Sequence, residues 1–534
     1  MSEELNNMNV TATPALKDYK VTPLFERKSS DILMAFCLIL LSIFGVSSFF
    51  WDWVRLGYTL VFNLSVIVIS AFIFKKGIKP TVAFLFCGVL SLICSWTFAV
   101  TSNALVKAVA FIVTAISAVI WFASLSGKKY KAGDVSLIEY TATTVINVFG
   151  DLPAIIKSFF AKNTKKSKKF TSILIGIVCA IPALAVIIPL LLKSDEAFYS
   201  LIHILFDDLA VLLQKIIIGL IASVFVIGLV FSIKYNSKEQ QNKGLNIKTD
   251  VISVFSFLCV ISFVYIVYLF SQLAYFFSAF SSILPKDYKF TYAQYARRGF
   301  FELCIISAIN LAIAFAVIVI SEKQNGKLPV LLRIPSAFIA VFTMLIIFTA
   351  ISKMFMYINA YGLTVMRICT SAFMIWILIL FIGVLVRLFI KQADILVLGL
   401  LSALIIVSVL GLSNINLQTA RYNYNAYVSG KLKIDVEYIA SLGDEGIPYL
   451  YKLTKDRNSE TVKIAKNELS WKYSFYYDTD TVDLKSIKSY KQFKKLEKQA
   501  DSIGKYSLSN AKAYKYLDKY AKETNGKIYA EYEW

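Results

Sequence analysis

The segment Tyr292-Ala-Gln-Tyr295-Ala-Arg297-Arg298-Gly299-Phe300-Phe301-Glu302-Leu303 carries the strongest chemical signal in the chain. It sets two adjacent cations and one carboxylate at the start of a long apolar stretch. An ionised carboxylate at the edge of a membrane is expensive unless it is paired or hydrated. A partner exists in Tyr361-Gly362-Leu363-Thr364-Val365-Met366-Arg367, which opens another apolar stretch. If both stretches leave water from the same side, Glu302 and Arg367 lie at similar depth. A bidentate carboxylate–guanidinium pair then satisfies both. Such a pair can be a bridge that fixes two helices, or part of a charged pocket for an anionic ligand or lipid head group. In the second case Tyr295, Arg297, Arg298 and Tyr361 line it.

The remaining candidates narrow the chemistry further. His203 is the single histidine, so a multi-His metal site is excluded. With Asp207 one turn on, it reads as a solvated helix face, and no metal or cofactor is expected. There is no GxxxxGK[ST] loop, no HExxH and no GxSxG, which removes P-loop ATPases, zincins and α/β-hydrolases. The seven cysteines fall inside apolar segments without a CxxC pair and read as small hydrophobes. Gln272 and Asn310 are expected to form hydrogen bonds between spans. Lys107 and Lys353, near span ends, can snorkel.

The elements that must position these residues are membrane helices. Of 534 residues, 57% are hydrophobic and 17% charged, with a mean hydropathy of +0.64. A soluble domain would carry about a quarter charged residues, so lipid must cover the excess. Apolar runs near the roughly 20 residues a span requires occur at about 32–50, 54–74, 80–100, 104–125, 170–192, 215–233, 250–277, 301–321, 330–352, 363–386 and 394–412. The expected fold is thus an all-α polytopic transmembrane bundle of about 11 spans over 31–412. A polar tail precedes it (1–30), and no cleavable leader is expected there. A small soluble helical domain follows it (413–534).

Charge orients the bundle. Of the 56 Lys and Arg, 25 gather in the tail and in alternate connections, including 126–169 and 234–248. That bias puts the N-terminus in the cytoplasm and, with an odd span count, the C-terminal domain outside. The net charge of +21 is therefore read as topology rather than as nucleic-acid binding.

Two connections are amphipathic. In 135–160, Ile138, Val145, Phe149, Leu152, Ile156 and Phe159 recur at helical spacing. Gly150-Asp151 followed by Pro153 is expected to break the run into an interfacial helix pair, with Asp151 capping the second. The other, 197–214, sets Phe198, Leu201, Leu205, Leu209 and Leu212 on one face. Beyond 413, Lys, Tyr, Asp and Glu rise. Asp435–Leu442, Ile447–Thr454 and Glu460–Leu469 read as short helices, and 485–524 as helix-like.

At these segments the chain resembles a bacterial membrane-protein family known as a domain of unknown function, of the 4153/4173 type. The likeness rests on Tyr295-Ala-Arg297-Arg298-Gly299-Phe300-Phe301-Glu302-Leu303, on Tyr361-Gly362-Leu363-Thr364 with Arg367, and on a stretch after the last span. That stretch runs through Asn414-Ile415-Asn416, Ala420-Arg421-Tyr422-Asn423, Asp435, and Tyr438 to Pro448. Asn416 is followed by Leu417 where relatives have proline, and Gly446 stands where they have alanine. The resemblance covers roughly 30–450. It implies a shared membrane architecture and supplies no reaction.

The expected role is a non-catalytic sensing or scaffolding component of the cell envelope in the plasma membrane. Its external domain would contact anionic lipid head groups or cell-wall polymers. The alternatives are a secondary transporter or lipid/anion carrier working through Glu302, Arg367 and Arg297, and a transferase using a lipid-linked donor. The transferase would need an outer acid among Asp207, Asp208 and Asp287. Pro182, Pro189 and Pro335 would permit the broken helices a carrier uses.

Overall fold

The computed structural model describes residues 23–26, 28–50, 56–75, 77–127, 130, 136–160, 209–235, 249–280, 300–321, 328–390, 393–476 and 508–524. Apart from an isolated bridge between Thr249 and Ser321, every element among them is a helix. In chain order the first seven are α1 (Ser29–Phe50), α2 (Leu56–Ile73), α3 (Val82–Ser95), α4 (Thr97–Val100), α5 (Ala104–Leu125), α6 (Ser136–Phe160) and α7 (Leu209–Tyr235). Then come α8 (Val251–Phe280), α9 (Phe300–Ile320), α10 (Val330–Tyr361), α11 (Val365–Phe389) and α12 (Ile395–Leu412). The C-terminal part adds α13 (Ile415–Val428), α14 (Val436–Ser441), α15 (Ile447–Leu453), α16 (Ser459–Tyr476) and α17 (Leu508–Glu523).

Among the described residues, 10 stretches are long and apolar enough to cross a membrane, with α3 and α4 counting as one. They coincide with ten of the expected spans. The eleventh, at 170–192, lies outside the described residues, as do Pro182 and Pro189. In hydrocarbon each span must close its own backbone hydrogen bonds, which is why these stretches are helices. Phe36, Phe44, Ile67 and Phe263 project outward, each more than half exposed, as a lipid-wetted surface requires. The protein is an all-α polytopic membrane bundle.

The helices pack in two groups. In the first, α7 runs antiparallel to α1. Tyr235 donates to Asp31 at 2.7 Å, and a Cβ on Gly219 would meet the Ile43 backbone at 2.6 Å. Thr59 donates to the Ser95 carbonyl at 3.0 Å, and Ser117 to that of Cys87 at 2.9 Å, locking α2, α3 and α5 together. In the second group, Tyr265 donates to Asn310 Oδ1 at 2.5 Å, and Asn310 Nδ2 to Thr343 at 2.8 Å. This is the interspan bonding expected of Asn310 and it fixes the register of α8, α9 and α10. The Trp376 indole donates to the Gly399 carbonyl at 2.9 Å, tying α11 of the second group to α12, which packs on α3 and α5.

One end of the bundle, the tail end, gathers the start of α1, the end of α7 and both ends of α6. Ser136 donates to Tyr130 at 3.1 Å, and the Tyr130 hydroxyl bonds Asp394 at the start of α12. Ser158 accepts from the Leu24 and Phe25 amides at 2.7 and 3.2 Å. The Phe25 ring stacks on Tyr235 at 4.3 Å, so these residues of the expected tail are packed. Asp31 is fully buried there, with Lys234 at 3.7 Å.

Two expectations change. α6 is one unbroken 25-residue helix through Pro153, not a helix pair. Packing holds it together: Val148 and Leu152 fill the groove left by Gly228 of α7, and Ile155 is buried. Asp151 lies inside this helix and accepts from Ser232 of α7 at 2.6 Å. The expected span at 330–352 is longer: α10 runs unbroken through Pro335 and has 32 residues in all, about 48 Å at 1.5 Å per residue. It outruns the roughly 30 Å hydrocarbon core and carries Lys353, Tyr357 and Tyr361 on its extension. Of the expected helix at 197–214, the residues to 208 lie outside the described ones, and from Leu209 the chain belongs to α7.

The opposite end, the domain end, carries α13–α17. Their core is Ala420, Ile439, Ile447, Leu450, Leu453, Ala465, Leu469, Ala513 and Leu517, all completely buried.

Candidate functional site

The two expected charges do not meet. Glu302 is exposed in the first turn of α9, and the cation whose field it shares is Lys353 of α10. The antiparallel register set by Asn310 and Thr343 brings those two to the same level. Arg367 turns elsewhere. Its Nη1 donates to the Gly362 carbonyl, and its guanidinium lies over the Tyr357 ring at 4.1 Å. Among the described residues no ion pair joins Glu302 to Arg367. The reason is local: Thr364 caps α11 by accepting from the Arg367 amide at 3.3 Å, so the side chain folds back over its own turn. Tyr361 is exposed and meets Tyr357 edge-on at 5.0 Å. Tyr295, Arg297, Arg298, His203, Asp207, Asp208 and Asp287 lie outside the described residues.

The structure instead assembles a polar seam between the bundle and the C-terminal helices. Asn103 caps α5, accepting from the Val106 amide at 2.9 Å, which sets the Thr101–Asn103 turn at the domain end. Asn414, in the left-handed region at φ 51°, caps α13 and donates to the Val100 carbonyl at 3.0 Å. Asn416 donates to Ser102 Oγ at 3.2 Å and to the Leu442 carbonyl at 3.1 Å, and accepts from Asn103 at 3.1 Å. Glu445, 2% exposed, completes the cluster. It accepts from the Ser102 amide at 3.1 Å and from the Ser102 hydroxyl. A buried carboxylate is tolerable only with such donors. A second tie lies at the turn before α11. Leu363 donates to Asn423 Oδ1 at 2.8 Å, and Asn423 Nδ2 donates back to the Leu363 carbonyl at 2.8 Å. The Val365 amide donates to the Tyr438 hydroxyl at 2.9 Å.

Backbone conformation makes this approach possible. Gly362 has φ +81°, and a Cβ there would sit 2.7 Å from Asn423 Oδ1. Gly446 leaves no room for a side chain: a Cβ would lie 2.0 Å from the Ile439 carbonyl. Burial pushes the Tyr438 phenol upward, partly offset by the Val365 amide and Arg367. The phenol therefore stays neutral and serves as an acceptor. Arg367 braces the same turn through Gly362.

What this arrangement does is hold the C-terminal helices against the bundle. Both Glu445 oxygens are engaged by Ser102, which leaves a sealed carboxylate rather than a general acid or base poised toward a substrate. Ser102, Asn103, Asn414, Asn416, Asn423, Tyr438 and Glu445 were not singled out as site residues in the sequence. Their signal was there: five of the seven lie in the stretch after the last span that carries the family likeness. Among the described residues, no group of three or more His, Cys, Asp or Glu could hold a metal ion.

The model of a family described as a domain of unknown function, DUF4153, matches residues 84–453. The chain belongs to this family. The DUF4153 match starts in α3 and ends at the last residue of α15, so it contains both sides of the seam, Ser102 with Glu445 and Leu363 with Asn423. No curated protein and no solved structure matches the chain.

Proposed function

We propose that this DUF4153 protein is a non-catalytic component of the cell envelope. Its C-terminal helices form a sensing or scaffolding platform held against the membrane bundle. The observation that carries the reading is the double tie. One tie joins Glu445 to the turn before α5 in the first helix group, and the other joins Asn423 to the turn before α11 in the second. A domain fastened to both groups responds to any shift between them. The sealed Glu445 favours such mechanical coupling over catalysis.

In this reading the tail end faces the cytoplasm, because the Lys- and Arg-rich connections belong to it. The domain end faces outward in the plasma membrane. The descent of α6 along the tail end, and the antiparallel run of α7 from the domain end, support the crossing expected at 170–192 and an odd total.

Two experiments test this. Cysteines placed singly at Ser2 and Ser507 of a cysteine-free variant are labelled with an impermeant thiol reagent on intact cells. The expected result is reaction at 507 alone; reaction at both, or at neither, overturns the topology. Deleting 413–534 should leave the bundle inserted while abolishing complementation of a null strain. Solute flux through purified protein, lost in Glu302→Gln, would replace the reading with a carrier.

A further inference from the structure

The C-terminal helices carry a strip that the seam does not use. On one flank of α15, Lys452 Nζ lies 5.1 Å from the Tyr424 ring centre and 4.9 Å from that of Tyr449. These two rings are themselves 5.4 Å apart. On the other flank, Lys455 and Lys519 both lie over Tyr451, at 4.7 and 5.2 Å, and Tyr516 packs on the same ring at 5.5 Å. Lys452 and Lys455 are three residues apart in one turn, so they are surface neighbours joining the flanks. Arg421, exposed on α13, adds its field at Tyr449. Lys452, Lys455 and Lys519 are exposed as well. Glu523 sits in the strip, and it is taken by Lys455 at 3.0 Å and by the Tyr451 hydroxyl.

Lysines on a surface normally lose much rotamer entropy when they bind an anion. Here the rings under the ammonium groups hold them in place beforehand, and cation–π attraction leaves the outward charge of Lys452 and Lys519 available, while Lys455 shares its charge with Glu523. The cations are shared between two flanks, Lys452 at Tyr424 and Tyr449 and Lys455 with Lys519 at Tyr451, so they suit a ligand that itself carries several negative charges. Residues 413–534 hold 21 basic and 16 acidic residues, so the surrounding field is of the same sign.

We infer that this strip, Arg421–Lys452–Lys455–Lys519 on its tyrosine bed, is a docking site for a linear polymer with repeating phosphate groups. The inference rests on the platform reading above and names its partner class. Phosphates ride along the lysines while the polymer stays at the surface, without entering the bundle.

The test uses the full-length protein in nanodiscs of zwitterionic lipid, with long-chain inorganic polyphosphate as probe and binding followed by fluorescence anisotropy. Wild type should bind with an affinity that falls steeply with salt. The triple change Lys452→Gln, Lys455→Gln, Lys519→Gln should weaken binding at least ten-fold and flatten the salt dependence. A control that removes the same charge elsewhere, Lys431→Gln, Lys463→Gln, Lys466→Gln, should change affinity less than three-fold. The inference is overturned if wild type fails to bind, or if the control loses as much as the strip variant. It is also overturned if the strip change abolishes binding to vesicles of anionic phospholipid while leaving polyphosphate binding intact. Because nanodiscs expose both faces, a topology opposite to the one proposed would sink the platform reading and leave this measurement standing.

Discussion

Asn423 and Leu363 exchange two hydrogen bonds of 2.8 Å, the side-chain amide of one reproducing the pairing that a neighbouring strand would offer the backbone of the other. This pair sits where α10 turns into α11, and it fastens that turn to the C-terminal helices. Replacing Asn423 with Leu removes both bonds and leaves a donor and an acceptor without partners, at a cost of about 1–3 kcal/mol. Thermal unfolding in detergent should register the loss, and protease should cut sooner between 413 and 436. Gly362→Ala should be at least as damaging, because its Cβ would strike Asn423 Oδ1. Unchanged proteolysis in both variants would show that the tie holds nothing.

Glu445 and Ser102 offer a cleaner dissection, since they are 343 residues apart and belong to different layers. Ser102→Ala removes one donor and keeps the backbone amide, so its effect should be about 1 kcal/mol. Glu445→Ala strands both donors and should cost about 1–3 kcal/mol. A double-mutant cycle on thermal stability should give a coupling above about 0.5 kcal/mol. Strict additivity would dismiss the seam as a contact without energetic content.

At the tail end, Asp31 accepts from Tyr235 and from the Lys28 amide and lies 3.7 Å from Lys234, whose ammonium also rests over Phe72. Asp31→Asn leaves Lys234 without its counter-charge in a half-buried site and should destabilise by about 3 kcal/mol. Pairing it with Lys234→Met should recover part of the loss. If the double variant is less stable than Asp31→Asn alone, the ion pair is not what holds α1 to α7.

The tie between α15 and α17 depends on pH in two directions. The Tyr451 hydroxyl and Lys455 hold the Glu523 carboxyl below its ordinary value. Its stabilisation is therefore full above the usual carboxylate range and is lost as pH falls through the depressed value. Tyr451 and Glu523 raise Lys455 above the ordinary lysine value. Its share is present below that value and is lost as pH rises through the raised one. The protection of α17 amides, taken relative to their intrinsic exchange rate at each pH, should thus be greatest between about pH 5 and pH 10. Protection that does not change on acidification would exclude Glu523 as a fastener.

Much of this protein is legible in its sequence because lipid imposes a local rule. A span must bond its own backbone and be apolar along its whole length, and both properties belong to consecutive residues. Ten helices therefore lie close to where the apolar runs put them, and α14, α15 and α16 begin within a residue or so of their sequence signals. Continuity was harder to read. Pro153 looks like a helix breaker in isolation, yet the contacts of Val148, Leu152 and Asp151 with α7 carry the helix through it. Side-chain partners were harder still. Glu302 and Arg367 matched in charge and in depth, but the first falls to Lys353 through the register of α9 against α10, and the second to Gly362 and Tyr357 through the turn before α11. The sealed Glu445 could be found only in three dimensions. Its environment comes from Ser102 and Asn416, and only tertiary packing decides which polar loops meet at the end of a bundle.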